Sequence, residues 1–183
     1  GIALLDVIEQ VNEQIPIADT RFVLEHLRWV TESQQEKIKK SGVVPTLIIH
    51  KMVGKGGSAV IKGLTPEKIE TFVPLQSFVD KGIPFVLCTD NVPINLLHAL
   101  QTAVARKDFV TGEVIAPNQR ISREEALKGC TIYGAYLSFE EDIKGSIEVG
   151  KLADLVILSK DIMTCYEDTI EDAEVLLTMV GGK

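Results

Sequence analysis

Short apolar runs that alternate with helical stretches are the feature that most limits what this chain can fold into. Three runs, at positions 21–27, 43–49 and 85–89, are typical of strands, and a segment with helical spacing or capping signals follows each of them. The run at 43–49 is apolar throughout, as expected of a parallel strand buried on both faces. Repeated strand-helix units predict an α/β fold built on a parallel sheet.

Capping residues indicate where two of the helices begin. Thr31 with Gln34, and Ser122 with Glu125, have the spacing of capping boxes. A helix is therefore predicted after each pair, and the second helix is expected to continue through Tyr133.

The two ends of the chain differ in the secondary structure that their residue patterns predict. An apolar face made of Leu4, Ile8, Val11 and Ile15 predicts a first helix that needs a covering partner. After Gly150, strands are predicted at 155–158 and 175–180 with little helix between them, which indicates a small β appendage.

Composition narrows the class of partner. The chain has 183 residues, 45% of them hydrophobic and 25% charged, with a net charge of -7 and a pI of about 5.0. An acidic chain is not expected to bind nucleic acid or an anionic membrane as its main partner. No transmembrane run and no signal peptide are found, and three scattered cysteines are typical of reduced thiols, so a cytoplasmic protein is expected.

Three polar residues follow the predicted strands, at the carboxyl ends where α/β folds place their chemistry: His26, His50 and Asp90. Imidazole and carboxylate groups are the ligands of zinc-type sites. Each of these three residues also has an interpretation as a structural rather than a catalytic residue. His26 can be a hydrogen-bonded core histidine, and Asp90 can cap the next helix. An exposed loop position is the favoured interpretation of His50, and His98 is expected to be structural.

The segment 54–58 is rich in glycine but lacks the lysine-serine or lysine-threonine pair of a phosphate-binding loop. A mobile loop over the active-site face is the preferred interpretation. A small α/β domain that binds an anion with this loop remains an alternative.

Four segments together carry a resemblance to a known family: 21–26, 82–93, 119–127 and 145–156. The first resembles the sixth barrel strand of the amidohydrolase superfamily, in the branch of N-substituted formamide deformylase-like enzymes. The second resembles the eighth strand of that barrel. The last, which is the most specific, resembles the return from the barrel into a small β-sandwich.

This resemblance implies a partial (β/α)8 TIM-type barrel followed by strands of a composite sandwich. Residues 1–144 would supply the last three βα units, and residues 145–183 the sandwich strands. The His-x-His pair of the first strand, the bridging residue of the fourth strand and the histidine of the fifth strand would be missing. A C-terminal fragment is therefore expected.

The resemblance also implies roles for individual residues. His26 matches the strand-six histidine, a metal ligand or substrate-facing group, and Asp90 matches the strand-eight aspartate, a metal ligand and catalytic base. Cys88 and Thr89 replace the usual glycine and serine beside it. His50 has no family role and is kept as a candidate substrate-binding residue.

The implied activity is hydrolysis of a non-peptide carbon–nitrogen bond in a small amide-type substrate. The implied cofactor is a divalent metal, with zinc as the first candidate. Two alternatives stay open beside the anion-binding domain: an inactive remnant, and one half of a split barrel that needs a partner chain. Exposed barrel edges predict a homo-oligomer or a complementing chain.

Overall fold

Two separate sheets organise the part of the chain that the structure, a computed structural model, describes: residues 2–90 and 94–183. The strands are β1 (Val23–Glu25), β2 (Val44–Leu47), β3 (Val86–Leu87), β4 (Leu155–Leu158) and β5 (Val175–Met179). The helices are α1 (Ile2–Gln14), α2 (Glu32–Ser41), α3 (Gly57–Ile61), α4 (Pro66–Glu70), α5 (Leu75–Lys81), α6 (Leu96–Ala105), α7 (Arg123–Cys130) and α8 (Ile132–Leu137). This element order gives an α/β fold.

The first sheet is parallel, with the strand order β1-β2-β3. Val23 lies opposite Val44, and Thr46 pairs with both Glu25 and Val86. All residues of the central strand β2 are buried, which confirms the prediction of a parallel strand covered on both faces. The carboxyl ends of the three strands consequently share one edge of the sheet.

The predicted capping box of α2 is confirmed. The Thr31 hydroxyl accepts a hydrogen bond from the Gln34 backbone N–H at 3.4 Å, and the Gln34 side chain accepts one from the Thr31 N–H at 2.8 Å. Two of the backbone N–H groups that a helix start leaves unpaired are thereby satisfied.

The prediction of one helix from Ser122 through Tyr133 is wrong. Ser122 does accept a hydrogen bond from the Glu125 N–H at 3.2 Å, but α7 ends at Cys130 and α8 begins at Ile132. Thr131 separates them with non-helical backbone angles, φ −131° and ψ −91°. Its hydroxyl donates to the Leu127 carbonyl at 2.8 Å and satisfies a group that a continuous helix would have bonded.

The predicted apolar face of α1 is also wrong in its details. Leu5 and Ile8 are buried, whereas Leu4 is 49% exposed and Val11 39% exposed. On the side of α1 that faces α2, Lys37 contacts Glu9 at 2.9 Å and also pairs with Asp6. The buried face of α1 is therefore narrower than the apolar spacing predicted, and it is centred on Leu5 and Ile8.

The second sheet is the antiparallel pair β4–β5, in which Leu155 lies opposite Met179. Between these strands, a 3-10 helix at Glu167–Asp172 packs against α6, and Ile170 joins the same hydrophobic core as the helices. The boundary between residues 144 and 145 stays a prediction. None of the helices in the described ranges is long and apolar enough to cross a membrane.

Candidate functional site

The carboxyl edge of the parallel sheet brings two of the predicted site residues to the same side of the molecule. His26 follows β1 directly, and its backbone N–H donates to the Thr46 carbonyl at 2.9 Å. Asp90 follows β3, where the Cys88 N–H donates to the Leu47 carbonyl at 3.0 Å. Because β2 lies between them, the two strand ends are about 10 Å apart, twice the usual strand spacing.

His26 is exposed and adopts a left-handed backbone conformation with φ +59°. This conformation is uncommon outside glycine, and it turns the chain sharply where the strand ends. The residue lines a cavity of about 330 Å³. The other lining residues are Leu5, Glu25, Leu27, Arg28, Trp29, Val30 and Gln34. The core-histidine interpretation of His26 is therefore wrong.

Asp90 makes an ion pair with Lys51, whose Nζ lies 2.8 Å from the Asp90 Oδ2. Both side chains are partly open to solvent, at 53% for Lys51 and 37% for Asp90. Asp90 does not cap the next helix, because Asn95 does so by accepting a hydrogen bond from the Leu97 N–H at 3.0 Å. Lys51 was not singled out in the sequence, where nothing connects it with Asp90.

Cys88 lies close to Asp90 but is not a nucleophile at neutral pH. Burial raises the pKa of its thiol, and the charges of Glu25 and Asp90 act in the same direction, against a hydrogen bond with Thr46 that lowers it. A protonated thiol is a poor nucleophile.

The expectation that His50 lies in an exposed loop is wrong. The chain leaves β2 and enters a π-helical turn, His50–Gly54, and the His50 side chain lies in the core, where it is 1% exposed. Neither of its ring nitrogens has a hydrogen-bond partner. Burial, followed by the charge of His98, lowers the pKa of His50 and keeps its ring neutral at pH 7.

His98, on α6, faces His50 in an edge-to-face arrangement with ring centroids 5.6 Å apart. Its Nδ1 pairs with the carboxylate of Glu171, while its Nε2 is buried without a partner. The Phe109 ring packs against it, with a centroid distance of 4.7 Å. No spacing in the sequence could have joined these residues, which come from distant segments.

The glycine-rich segment 54–58 is tied down by a buried carboxylate. Asp108 accepts hydrogen bonds from the backbone N–H groups of Ser58 and Val110, each at 2.9 Å. Burial of the Asp108 carboxyl raises its pKa, but bonds from the Ser58 side chain and from the backbone of Ser58, Val110 and Gly56 outweigh this effect and lower the pKa to about 2. The prediction of a mobile loop is not supported by this geometry.

The donor types at the sheet edge suit a zinc-type ion, yet they are too few to enclose one. Within residues 2–90 and 94–183, no group of three or more His, Cys, Asp or Glu side chains is placed to hold a metal. His26 and Asp90 place an imidazole and a carboxylate at the ends of alternate strands, and both groups are of the types that zinc sites use.

The sequence model of the amidohydrolase family matches residues 1–183, the whole chain. The chain belongs to this family. An N-substituted formamide deformylase from Arthrobacter pascens is 30% identical over 184 residues, which cover 98% of this chain and 33% of that protein. The protein LONG AFTER FAR-RED 3 from Arabidopsis thaliana is 29% identical over 182 residues, covering 98% of this chain and 31% of its own length.

The chain also shares its fold with a solved structure. It is an uncharacterized metal-dependent hydrolase from Pyrococcus horikoshii, with a TM-score of 0.72 and 21% identity over 90% of this chain and 33% of that one. The chain thus spans about a third of the length of the relatives that it matches.

Proposed function

We propose that this chain carries part of the active site of a cytoplasmic, metal-dependent hydrolase that cleaves a non-peptide carbon–nitrogen bond in a small amide-type molecule. The observation that carries the proposal is that the family match spans residues 1–183 while His26 and Asp90 end two parallel strands at one edge of the sheet. The unpaired cysteines Cys88, Cys130 and Cys165 support the cytoplasmic location.

In this proposal His26 and Asp90 would be two of the ligands of a divalent ion, with zinc as the first candidate, since imidazole and carboxylate are ligands of that ion. When bound, such an ion would supply a reactive water near neutral pH and would polarise the scissile carbonyl. Asp90 accepts a proton from the attacking water and returns it to the leaving nitrogen. Lys51, 2.8 Å from the Asp90 carboxylate, positions that base by its ion pair.

The remaining metal ligands would come from elsewhere, either from the rest of a longer protein or from a partner chain. We propose that residues 1–144 form the last units of a (β/α)8 barrel and that residues 145–183 belong to its β-sandwich. The coverage of about a third of each relative supports this view. The inactive remnant and the split-barrel half remain the two alternatives within the same family.

The anion-binding alternative receives no support from the geometry. The backbone N–H of Ser58, which an anion would need, already donates to the Asp108 carboxylate at 2.9 Å. A buried negative charge at this position would repel a second anion. We therefore favour hydrolysis.

The experiment that tests the proposal measures bound zinc and amine release together. The purified 183-residue chain is loaded with zinc, dialysed, and incubated with an N-substituted formamide as the test substrate. Asp90→Asn removes the base and should lower the turnover rate by about 100-fold or more. His26→Ala should lower the amount of zinc retained per chain.

Asp80→Asn is the matched control, because Asp80 is an exposed aspartate on α5 that accepts a local hydrogen bond from Gln76 at 2.7 Å. It should leave turnover unchanged. Turnover that survives Asp90→Asn at the rate of the unmodified chain contradicts the proposal. If the unmodified chain retains zinc but shows no turnover, the alternative of a split-barrel half is supported. If the unmodified chain neither retains zinc nor shows turnover, the alternative of an inactive remnant is supported.

A further inference from the structure

We propose that the cavity beside His26 recognises a carboxylate group of the substrate, so that the substrate class is an amide with one carboxylate and an apolar body, such as an N-acylated apolar amino acid. This inference rests on the proposed function, because it places the recognised molecule next to a candidate metal ligand. The cavity has a volume of about 330 Å³ and is lined by residues of α1, β1, the segment 26–30 and α2. A cavity of this size accommodates a small molecule.

The side-chain amide of Gln34 supplies a hydrogen-bond donor at this cavity. Gln34 is only 9% exposed, and its Oε1 accepts a hydrogen bond from the Thr31 N–H at 2.8 Å. Because an amide oxygen can only accept, this bond fixes which end of the side chain is the NH2 group. Within residues 2–90 and 94–183, no atom accepts a hydrogen bond from the Gln34 Nε2. A buried donor needs an acceptor, and an oxygen of a bound molecule would provide one.

Arg28 supplies a positive charge at the same cavity. The other four arginines all donate side-chain hydrogen bonds to oxygen atoms of the protein: Arg21, Arg106, Arg120 and Arg123. The side chain of Arg28 is exposed and has no such partner in the described part of the chain. A free guanidinium and a free amide NH2 group match the two oxygens of a carboxylate.

The apolar walls of the cavity indicate what the rest of the ligand is. They are formed by Leu5, Leu27, Trp29 and Val30. The Trp29 ring is held in place, because the Phe72 ring lies 4.6 Å away between centroids and the Lys68 Nζ lies 5.1 Å from the Trp29 centroid. A fixed aromatic side chain among aliphatic ones suits an apolar side chain of the ligand.

Glu25 limits the charge that the cavity accepts. It is exposed, lines the same cavity, and forms no ion pair with Arg28 within the described ranges. Its negative charge would repel a second negative charge on the ligand. The cavity is therefore suited to a monocarboxylate rather than to a phosphate or a dicarboxylate.

Fluorescence of Trp29 tests this inference directly, because Trp29 is the only tryptophan of the 183-residue chain. The probe is 3-phenylpropionate, which has a carboxylate and an apolar ring but no amide bond to cleave. We expect a saturable change in fluorescence with the whole chain and no added metal. The uncharged counterpart, 3-phenylpropionamide, should bind at least about 10-fold more weakly.

Gln34→Glu is the most informative variant. A glutamate at this position keeps the acceptor of the capping box and replaces the NH2 donor with a negative charge. It should weaken binding of 3-phenylpropionate by about 10–100-fold, and Arg28→Gln should weaken it by about 10-fold. Gln14→Glu is the matched control, since Gln14 is an exposed glutamine at the end of α1, and it should bind the probe as the unmodified chain does.

Hydrolysis of N-formylphenylalanine to formate and phenylalanine separates this inference from the proposed function. Binding of 3-phenylpropionate without hydrolysis of N-formylphenylalanine supports the carboxylate site and tells against hydrolysis by this chain. Equal hydrolysis of N-formylphenylalanine and of its carboxamide supports the hydrolase and overturns carboxylate recognition. The absence of a fluorescence change at millimolar probe, or binding that is indifferent to Gln34→Glu, also overturns the inference.

Discussion

At the scale of single residues, buried charges hold distant segments together. Arg106 is fully buried and donates to the carbonyls of Ile115, Val73 and Phe72 at 2.8–2.9 Å, which joins the end of α6 to the loop before α5. Burial lowers the pKa of Arg106 to about 9, so the guanidinium is still charged at pH 7. Asp108 plays the corresponding part for the segment at 54–58.

Asp108 should make the stability of the chain depend on pH in acid. Its pKa is about 2 in the folded state, below the value of about 3.9 expected in the unfolded chain. The carboxylate therefore stabilises the fold fully above about pH 4, and this contribution is lost as the pH falls through 2. Asp108→Asn should lower the free energy of unfolding by roughly 2 kcal/mol at pH 6 and by much less at pH 2.

Urea denaturation at both pH values measures this difference. Asp80→Asn serves as the control, because Asp80 lies at the surface of α5 and its loss should cost less than about 0.5 kcal/mol at either pH. A cost of Asp108→Asn that is equal at pH 6 and pH 2 would show that the carboxylate charge is not what stabilises the segment.

At the scale of elements, two helices end in the same way but in different surroundings. Gly42 ends α2 with φ +64°, and Gly82 ends α5 with φ +65°. A Cβ at Gly42 would lie 2.0 Å from the Ala18 carbonyl oxygen, whereas a Cβ at Gly82 would meet nothing within 4 Å. The first glycine is thus required by a close backbone approach as well as by its conformation.

Alanine at these two positions should separate the two effects. Gly82→Ala is expected to cost about 1–2 kcal/mol, the penalty of the left-handed conformation alone. Gly42→Ala should cost at least about 3 kcal/mol, since the Ala18 backbone must also shift. Thermal or chemical denaturation of both variants provides the comparison, and equal losses would mean that the chain near Ala18 yields without cost.

At the scale of the whole molecule, two surfaces within the described ranges each carry a cluster of uncovered apolar side chains. One is the outer face of α1, and the other is the β4–β5 pair. The exposed residues are Leu4, Val7, Val11 and Ile15 on the first surface and Val156, Ile157, Val175, Leu176 and Leu177 on the second. Exposed apolar patches and open sheet edges favour association with another chain.

We therefore expect the chain to self-associate at micromolar concentration, as judged by sedimentation velocity. Replacing Val7 and Val11 with serine should move the distribution toward monomer. Val60→Ser is the control, because Val60 is a similarly exposed valine, at 38%, on the short helix α3. A single monomeric species for the unmodified chain would refute this expectation and would leave a complementing chain of a different kind as the partner to seek.

The strands and the starts of α2 and α7 followed from local sequence, because they depend on residues close together in the chain. Thr31 and Gln34 are three positions apart and cap α2 in any surroundings that allow a helix. The placement of His26 and Asp90 at strand ends followed in the same way, since parallel strands bring their carboxyl ends to one edge.

Tertiary structure alone decided which side chains meet across long stretches of chain. The sequence did not show that His50 is buried or that it lies against His98. It also did not show that His98 pairs with Glu171, or that Leu5 rather than Leu4 is a core residue. Each depends on how preformed elements pack, and packing is selected by shape, charge pairing and burial summed over several elements. Local spacing specified the elements and the edge that carries the candidate ligands, while the fold decided their neighbours.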